Sequence, residues 1–428
     1  GLSMKRTIAL LFTCLMIVTT IPANVAAQDA EPIAFGIEYD YSNLNADIES
    51  MIGLDLTEIF QEVMAAGDDA GIDLLIGRVT TGTTTIVFEQ YDGDMVTLDV
   101  DGTPTDFHIV HLGSRAIGGT GLVVTEMTQV SREGRISPGD AGIYDDKHIL
   151  AWKKVVDFVH SRSNAKIGMQ LGHAGRKACE PIAWKRNTPL TKDEKWEILG
   201  PSAIQFGPDS EIPCEMNQGD IAKVIDDFVS AANRADEAGF DIIELHAGHG
   251  YLLSSFMSPL SNQRTDAYGG SLENRMKLPL EVFHAVRTVW PDEKPISARI
   301  SAIDWNDHGN QIEDGVEIAK MFKAAGLDII DVSSGNVTSE RRPATPGLFQ
   351  TPFSEQIRRQ ADMPTMTVGN LAVAEQINGV IAEGRADLCC VGKGHLFDPY
   401  FVHHAARELG YDLKWPNQYP AAGVFNPK

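Results

Sequence analysis

The chain has 428 residues, 43% of them apolar and 22% charged, with a formal net charge of −23. That length accommodates one large α/β barrel plus a smaller unit, and the composition is that of an ordinary globular protein. Most of the negative charge is concentrated: eighteen acidic residues against Arg78 alone fall between Asp29 and Asp106, which excludes nucleic acid as a partner, because phosphate binding needs clustered cations.

In chain order, residues 4–27 open with Lys5 and Arg6, continue through an apolar stretch from Ile8 to Thr20, and close on the small residues Val25, Ala26 and Ala27. These are the three parts of a secretory signal peptide, assigned to residues 1–27, and the apolar stretch is too short for a stable membrane span. Residues 28–98 form an acidic segment. In it, apolar positions from Ile48 to Val63 predict a helix over 45–66, and runs at 84–88 and 95–100 around Tyr91-Asp92-Gly93-Asp94 predict a β-hairpin. From Thr103 the pattern alternates. Helices are expected through His108 and Arg115 and over 147–161, 221–238, 275–288, 312–325, 352–360, 371–382 and 399–409. Strands are expected over 121–125, 166–171, 242–246, 295–300, 328–332, 364–368 and 387–391. Alternation of this kind argues for a parallel sheet with helical crossovers.

The expected fold class is therefore α/β, a (β/α)8 TIM barrel over 99–428. Only seven of its eight strands can be counted from Gly121 onward. Either residues 84–91 serve as an atypical first strand, or that strand is missing and the barrel is broken. The five cysteines include no Cys-x-x-Cys spacing and form no convincing disulfide framework.

The chemistry gathers after one apolar run. Ile242 to Leu245 read as a buried strand, and His246, His249 and Tyr251 follow at its carboxyl end, where barrel enzymes collect their reacting groups. Two imidazoles can donate to one carbonyl oxygen, and a phenol two residues further on can supply a proton to the carbon beside it. A single His or Tyr at a strand end is usually a surface or core residue, but three within six positions, followed by a glycine-rich loop, favour function. A zinc site is the weaker alternative: no His-Glu-x-x-His pattern is present, and Glu244 is expected to face away from His246.

The segment from His246 to Arg275, with Leu171-Gly172-His173-Ala174-Gly175-Arg176-Lys177 and residues 101–116 and 125–135, resembles the old yellow enzyme family of FMN-dependent ene-reductases. These motifs resemble the subgroup that includes thermophilic-type ene-reductases and the reductase-like half of salicylyl-CoA hydroxylases. The resemblance covers about three quarters of the chain and implies FMN as cofactor, NADPH or NADH as reductant, and a small-molecule enone or enoyl thioester as substrate. It further implies that Gln170 bonds the flavin ring, that Arg299 sits near flavin N1, and that the backbone of Met127 touches the ring. Phosphate and ribityl contacts are implied for Gly335, Gly369, Asn370, Gly392 and Lys393, where the family usually has arginine at the last of these. A first-strand Pro-Met-Cys segment against the flavin has no counterpart at 92–100. Arg264 and Asp266 read as an ion pair that pins the long loop.

By this resemblance the chain is an ene-reductase whose Tyr251 protonates the substrate. The alternatives are an acyl-CoA-specific relative and a flavin-free barrel inactivated by loss of its first strand. A homodimer is compatible with the tail, but no arginine is placed there to reach a neighbour's site. The signal peptide points to export, whereas the resemblance points to a cytoplasmic enzyme.

Overall fold

The computed structural model describes residues 86–89, 101–182, 185, 188–340 and 347–424. The signal-peptide segment, the helix expected over 45–66 and the second arm of the hairpin lie outside the described residues.

Eight parallel strands alternate with helices. They are β1 (Ile86–Glu89), β2 (Leu122–Val124), β3 (Lys166–Gly172), β4 (Ile242–Ala247), β5 (Ile296–Ser301), β6 (Ile329–Ser333), β7 (Thr365–Thr367) and β8 (Leu388–Cys390). Each strand pairs with the next in chain order, and β1 pairs with both β2 and β8, so the sheet closes on itself. The register at the closure sets Ile86 beside Cys389 and Phe88 beside Val123.

The doubtful first strand is thus present. Both edges of β1 are taken by barrel neighbours, so it is not one arm of a hairpin with 95–100. It also lies upstream of the boundary expected at residue 99, inside the segment read as the acidic head. Four residues in a strongly acidic surrounding carry too little periodicity to reveal a parallel partner. Pairing with β2 and β8 is what defines the strand.

The outer layer consists of α1 (Asp106–Ile117), α2 (Asp146–Arg162), α3 (Gln218–Ala238), α4 (Lys277–Arg287), α5 (Ile312–Ala325), α6 (Thr351–Ile357), α7 (Ala374–Ala382) and α8 (Phe401–Glu408). In α3, Asn217 caps the first turn by accepting from the N–H groups of Gly219 and Asp220. Gly239, at φ 93°, ends the helix in the left-handed region. Ile221, Val224, Phe228, Ala231, Ala235 and Ala238 recur at helical spacing and are buried.

Inside the barrel the lower layer is apolar: Leu122, Val124, Ile242, Ile329, Met366, Leu388 and Cys390 form one cluster. Toward the carboxyl ends the inward positions turn polar, with Gln170, Glu244, Arg299 and Asp331 all buried. That change of polarity along the strands makes this end the site.

Candidate active site

At the end of β4, His246 is 1% exposed, His249 3% and Tyr251 6%. The chain reverses here through two left-handed residues, His249 at φ 57° and Gly250 at φ 74°. A Cβ on Gly250 would stand 2.7 Å from the Asn336 carbonyl oxygen, so this turn requires glycine. The reversal stacks the three rings edge to face, with His246 5.1 Å from His249 and 4.9 Å from Tyr251 between centroids.

The hydrogen-bond geometry suits one assignment of the imidazole tautomers. Gly248 N–H donates to His246 Nδ1 at 3.2 Å, so the neutral ring carries its proton on Nε2. That nitrogen is 3.4 Å from His249 Nδ1, which leaves the His249 proton on Nε2, 2.6 Å from Ser333 Oγ. Ser333 and Ser334 both donate to Gln350 Oε1, at 3.4 and 2.6 Å, and Gln350 Nε2 donates to the Val368 carbonyl. A directional chain therefore runs from β4 across β6 to the turn after β7. The N–H groups of both histidines point along it.

Below the histidines, Gln170 Nε2 donates to Glu244 Oε1 at 2.9 Å, and Glu244 Oε2 lies 2.9 Å from Ser297 Oγ. Arg299 Nε is 3.3 Å from Asp331 Oδ2. Burial, and then the Asp331 charge, push the Glu244 carboxyl up to about 8 against the hydrogen bonds from Gln170 and Ser297. Glu244 is accordingly held toward its neutral form beside the Arg299–Asp331 salt bridge. The expectation that Glu244 faces away from His246 is corrected. Residues two apart on a strand share a face, and both point into the barrel, Glu244 one layer deeper. Among the described residues no group of three or more His, Cys, Asp or Glu could hold a metal ion.

The other sequence-derived positions fall at the same end. Met127, 8% exposed, packs over Gly172, where a Cβ would meet its side chain at 2.3 Å. Gly335 (φ 71°), Gly369 (φ 122°) and Asn370 (φ 54°) form the turns after β6 and β7. Gly392 precedes the short helix Lys393–Phe397, and Lys393 is exposed at its start. Arg264 grips Asp266 through Nε (3.0 Å) and Nη2 (2.6 Å) and donates to the Pro201 and Met216 carbonyls, as expected of a loop clamp. Glu244, read as turned away from His246, and Asp331 were not placed in the site by the sequence reading, nor were Ser333, Gln350 and Lys177. For the first two the signal was available, since an acid inside Ile-Ile-x-Leu or Ile-Ile-x-Val demands a buried partner just as Arg299 does.

A closed parallel barrel with a phenol, two imidazoles and a buried polar floor gathered at its carboxyl face has the layout of a TIM-barrel enzyme site. The model of the NADH:flavin oxidoreductase / NADH oxidase family matches residues 86–411. The NADPH dehydrogenase of Listeria monocytogenes serotype 4b is 44% identical over 322 residues, which cover 75% of this chain and 90% of that protein. Among solved structures, morphinone reductase aligns with a TM-score of 0.63 at 25% identity, covering 79% of this chain and 88% of that one. A 2-naphthoyl-CoA reductase complex aligns with a TM-score of 0.68 at 25% identity, covering 77% and 50%. The chain belongs to the NADH:flavin oxidoreductase / NADH oxidase family, the old yellow enzyme family, and is an NAD(P)H-dependent FMN oxidoreductase.

The donor set suits that cofactor. The Gln170 amide and the Arg299 guanidinium offer a donor–acceptor pair and a positive charge in a buried layer, as a flavin pyrimidine edge requires. At Gly369 a Cβ would meet the Phe349 ring at 3.0 Å and Gln350 Nε2 at 3.2 Å, so the backbone there is kept bare for close approach.

Proposed function

We propose that this protein reduces the C=C bond of α,β-unsaturated carbonyl compounds, with Tyr251 as proton donor and His246 and His249 as the oxygen-binding pair. The convergence of these three buried rings at the carboxyl end of β4 carries the reading. When bound and reduced by NAD(P)H, FMN would supply the hydride for the β-carbon.

The residues of the chain do the rest. A carbonyl oxygen entering between the imidazoles takes the His246 Nε2–H from a long 3.4 Å contact and competes with Ser333 for the His249 Nε2–H. Donors already aimed by the protein need little reorganisation as charge builds on the oxygen. Tyr251, at the amino end of the short helix Leu252–Met257, then gives its proton to the α-carbon. Gln170 and Arg299 would hold the flavin ring, with the backbone of Met127 against it, and Gly335, Gly369, Asn370, Gly392 and Lys393 would hold its ribityl and phosphate groups. Gln350 joins that set through its bonds to Ser334 and Val368. Lysine at 393 neutralises phosphate as a point charge, without the bidentate geometry of arginine.

The test is Tyr251→Phe. Alkene-dependent reoxidation of the reduced flavin should fall by about 100-fold, within the range of general acid catalysis, with FMN content unchanged. An unchanged rate would remove Tyr251 from its role. The likeness to the 2-naphthoyl-CoA reductase supports a second reading, an acyl-CoA-specific relative, which paired assays of an enone and its enoyl-CoA counterpart separate. Closure of the barrel by β1 removes the ground for a flavin-free barrel.

A further inference from the structure

The turn after β3, Gly175–Lys177, carries two cations with different duties. Arg176 is buried and donates through Nη1 to the Ile204 and Gln205 carbonyls and through Nη2 to the Val337 carbonyl, tying two loops together. This brings Phe206 to the turn, with its ring centroid 5.8 Å from the Arg176 guanidinium. The neighbouring Lys177 ammonium lies 4.7 Å from the Phe206 centroid and 4.4 Å from that of Tyr251. It also donates to the His249 carbonyl at 2.9 Å.

We propose that Lys177 is a positioning residue for proton transfer by Tyr251: sandwiched between two rings and tied to the His249 carbonyl, its ammonium holds the phenol in place and stabilises the phenolate that forms. The proposal rests on the reading of Tyr251 as proton donor. In that step the Tyr251 O–H bond breaks and a C–H bond forms at the α-carbon from the enolate electron pair. The phenolate regains its proton from solvent, and the hydride has come from NAD(P)H through the cofactor. A cation over an aromatic face attracts the neutral ring and the anion more strongly, so the arrangement favours the product side of the transfer.

The titratable or charged groups facing Tyr251 include Lys177 from the turn after β3 and His246 from β4, with His249 on the same reversal. Arg176 is committed to three carbonyls of the loops. Lys177 is the charge set over the phenol ring. Its tie to the His249 carbonyl also braces the left-handed reversal that presents both His249 and Tyr251 to the site.

The experiment compares Lys177→Met and Lys177→Arg with Tyr251→Phe in FMN-loaded enzyme. In K177M the alkene-dependent reoxidation of reduced flavin should slow about five- to tenfold at neutral pH, with the alkaline limb of its pH profile moving up by about one unit. K177R should recover most of both effects. The FMN dissociation constant and the visible flavin spectrum should stay at wild-type values in both variants. The proposal is overturned by a wild-type rate and profile in K177M, or by equal losses in K177M and K177R. Loss of FMN from K177M with no recovery in K177R would assign Lys177 to the fold and overturn it equally. If Y251F is slow and K177M is not, this proposal alone fails; if Y251F keeps the full rate, the reading of Tyr251 fails.

Discussion

Replacing Glu244 by Gln should make the protein more resistant to unfolding at alkaline pH without disturbing the barrel. The side chain is buried, and its carboxyl is pushed up to about 8 by burial and by the Asp331 charge. The unfolded chain releases this proton near the ordinary value of 4.5, whereas the folded one holds it until about 8. Between these limits the folded state binds more protons, so its stability falls as pH rises, by about 1 kcal/mol per pH unit. From pH 6 to 8 the loss is about 2 kcal/mol. Glutamine copies the neutral carboxyl: its Oε1 can accept from Gln170 Nε2, and its amide N–H can donate to Ser297 Oγ, the two partners Glu244 has now. The assay is urea unfolding of wild type and E244Q at pH 6, 7 and 8, followed by tryptophan fluorescence. The stability difference should widen in favour of E244Q by about 2 kcal/mol over that range. Parallel curves would refute the neutral carboxyl and with it the account of the barrel floor.

Two further predictions concern other parts of the same end of the molecule and its acid behaviour. Gly369→Ala places a Cβ 3.0 Å from the Phe349 ring at a φ of 122°, a conformation costing about 1–3 kcal/mol for a side-chain residue; FMN should dissociate about 10- to 100-fold more readily, and an unchanged dissociation constant would take this turn out of the cofactor site. Burial holds His111 and His395 down to about 3 and His173 and His403 to about 4. These imidazoles stay neutral in the fold and charge in the unfolded chain, so each contributes stability that is present above 6.5 and lost as pH falls toward 4. With four such groups set against the opposite trend of Glu244, the urea midpoint should drop between pH 6.5 and 5. Equal midpoints at those two values would contradict the buried neutral imidazoles.

Much of this was legible in the residues themselves. The apolar run Ile242 to Leu245 followed by His246, His249 and Tyr251 marked both a buried strand and its reacting edge, because inward and outward positions of a barrel strand are both covered and chemistry collects where the run ends. Arg299 stood out for the same reason, as a charge where only a partnered one is tolerated. The helix expected over 221–238 ends at Ala238 as read, before Gly239, but begins at Gln218 after the Asn217 cap, three residues earlier than expected. What the tertiary structure decided was long-range pairing. Ile86–Glu89 is only four residues, and nothing local distinguishes a hairpin arm from the strand that closes a barrel between Cys389 and Leu122, about 270 residues apart. The same holds for the floor and wall of the site. Glu244 meets Gln170, His249 meets Ser333, and Lys177 meets Tyr251 across 74, 84 and 74 positions of chain. Sequence periodicity sets which face a side chain takes, but the charge state of Glu244 and the direction in which His249 points its proton depend on neighbours that only closure of the sheet brings together.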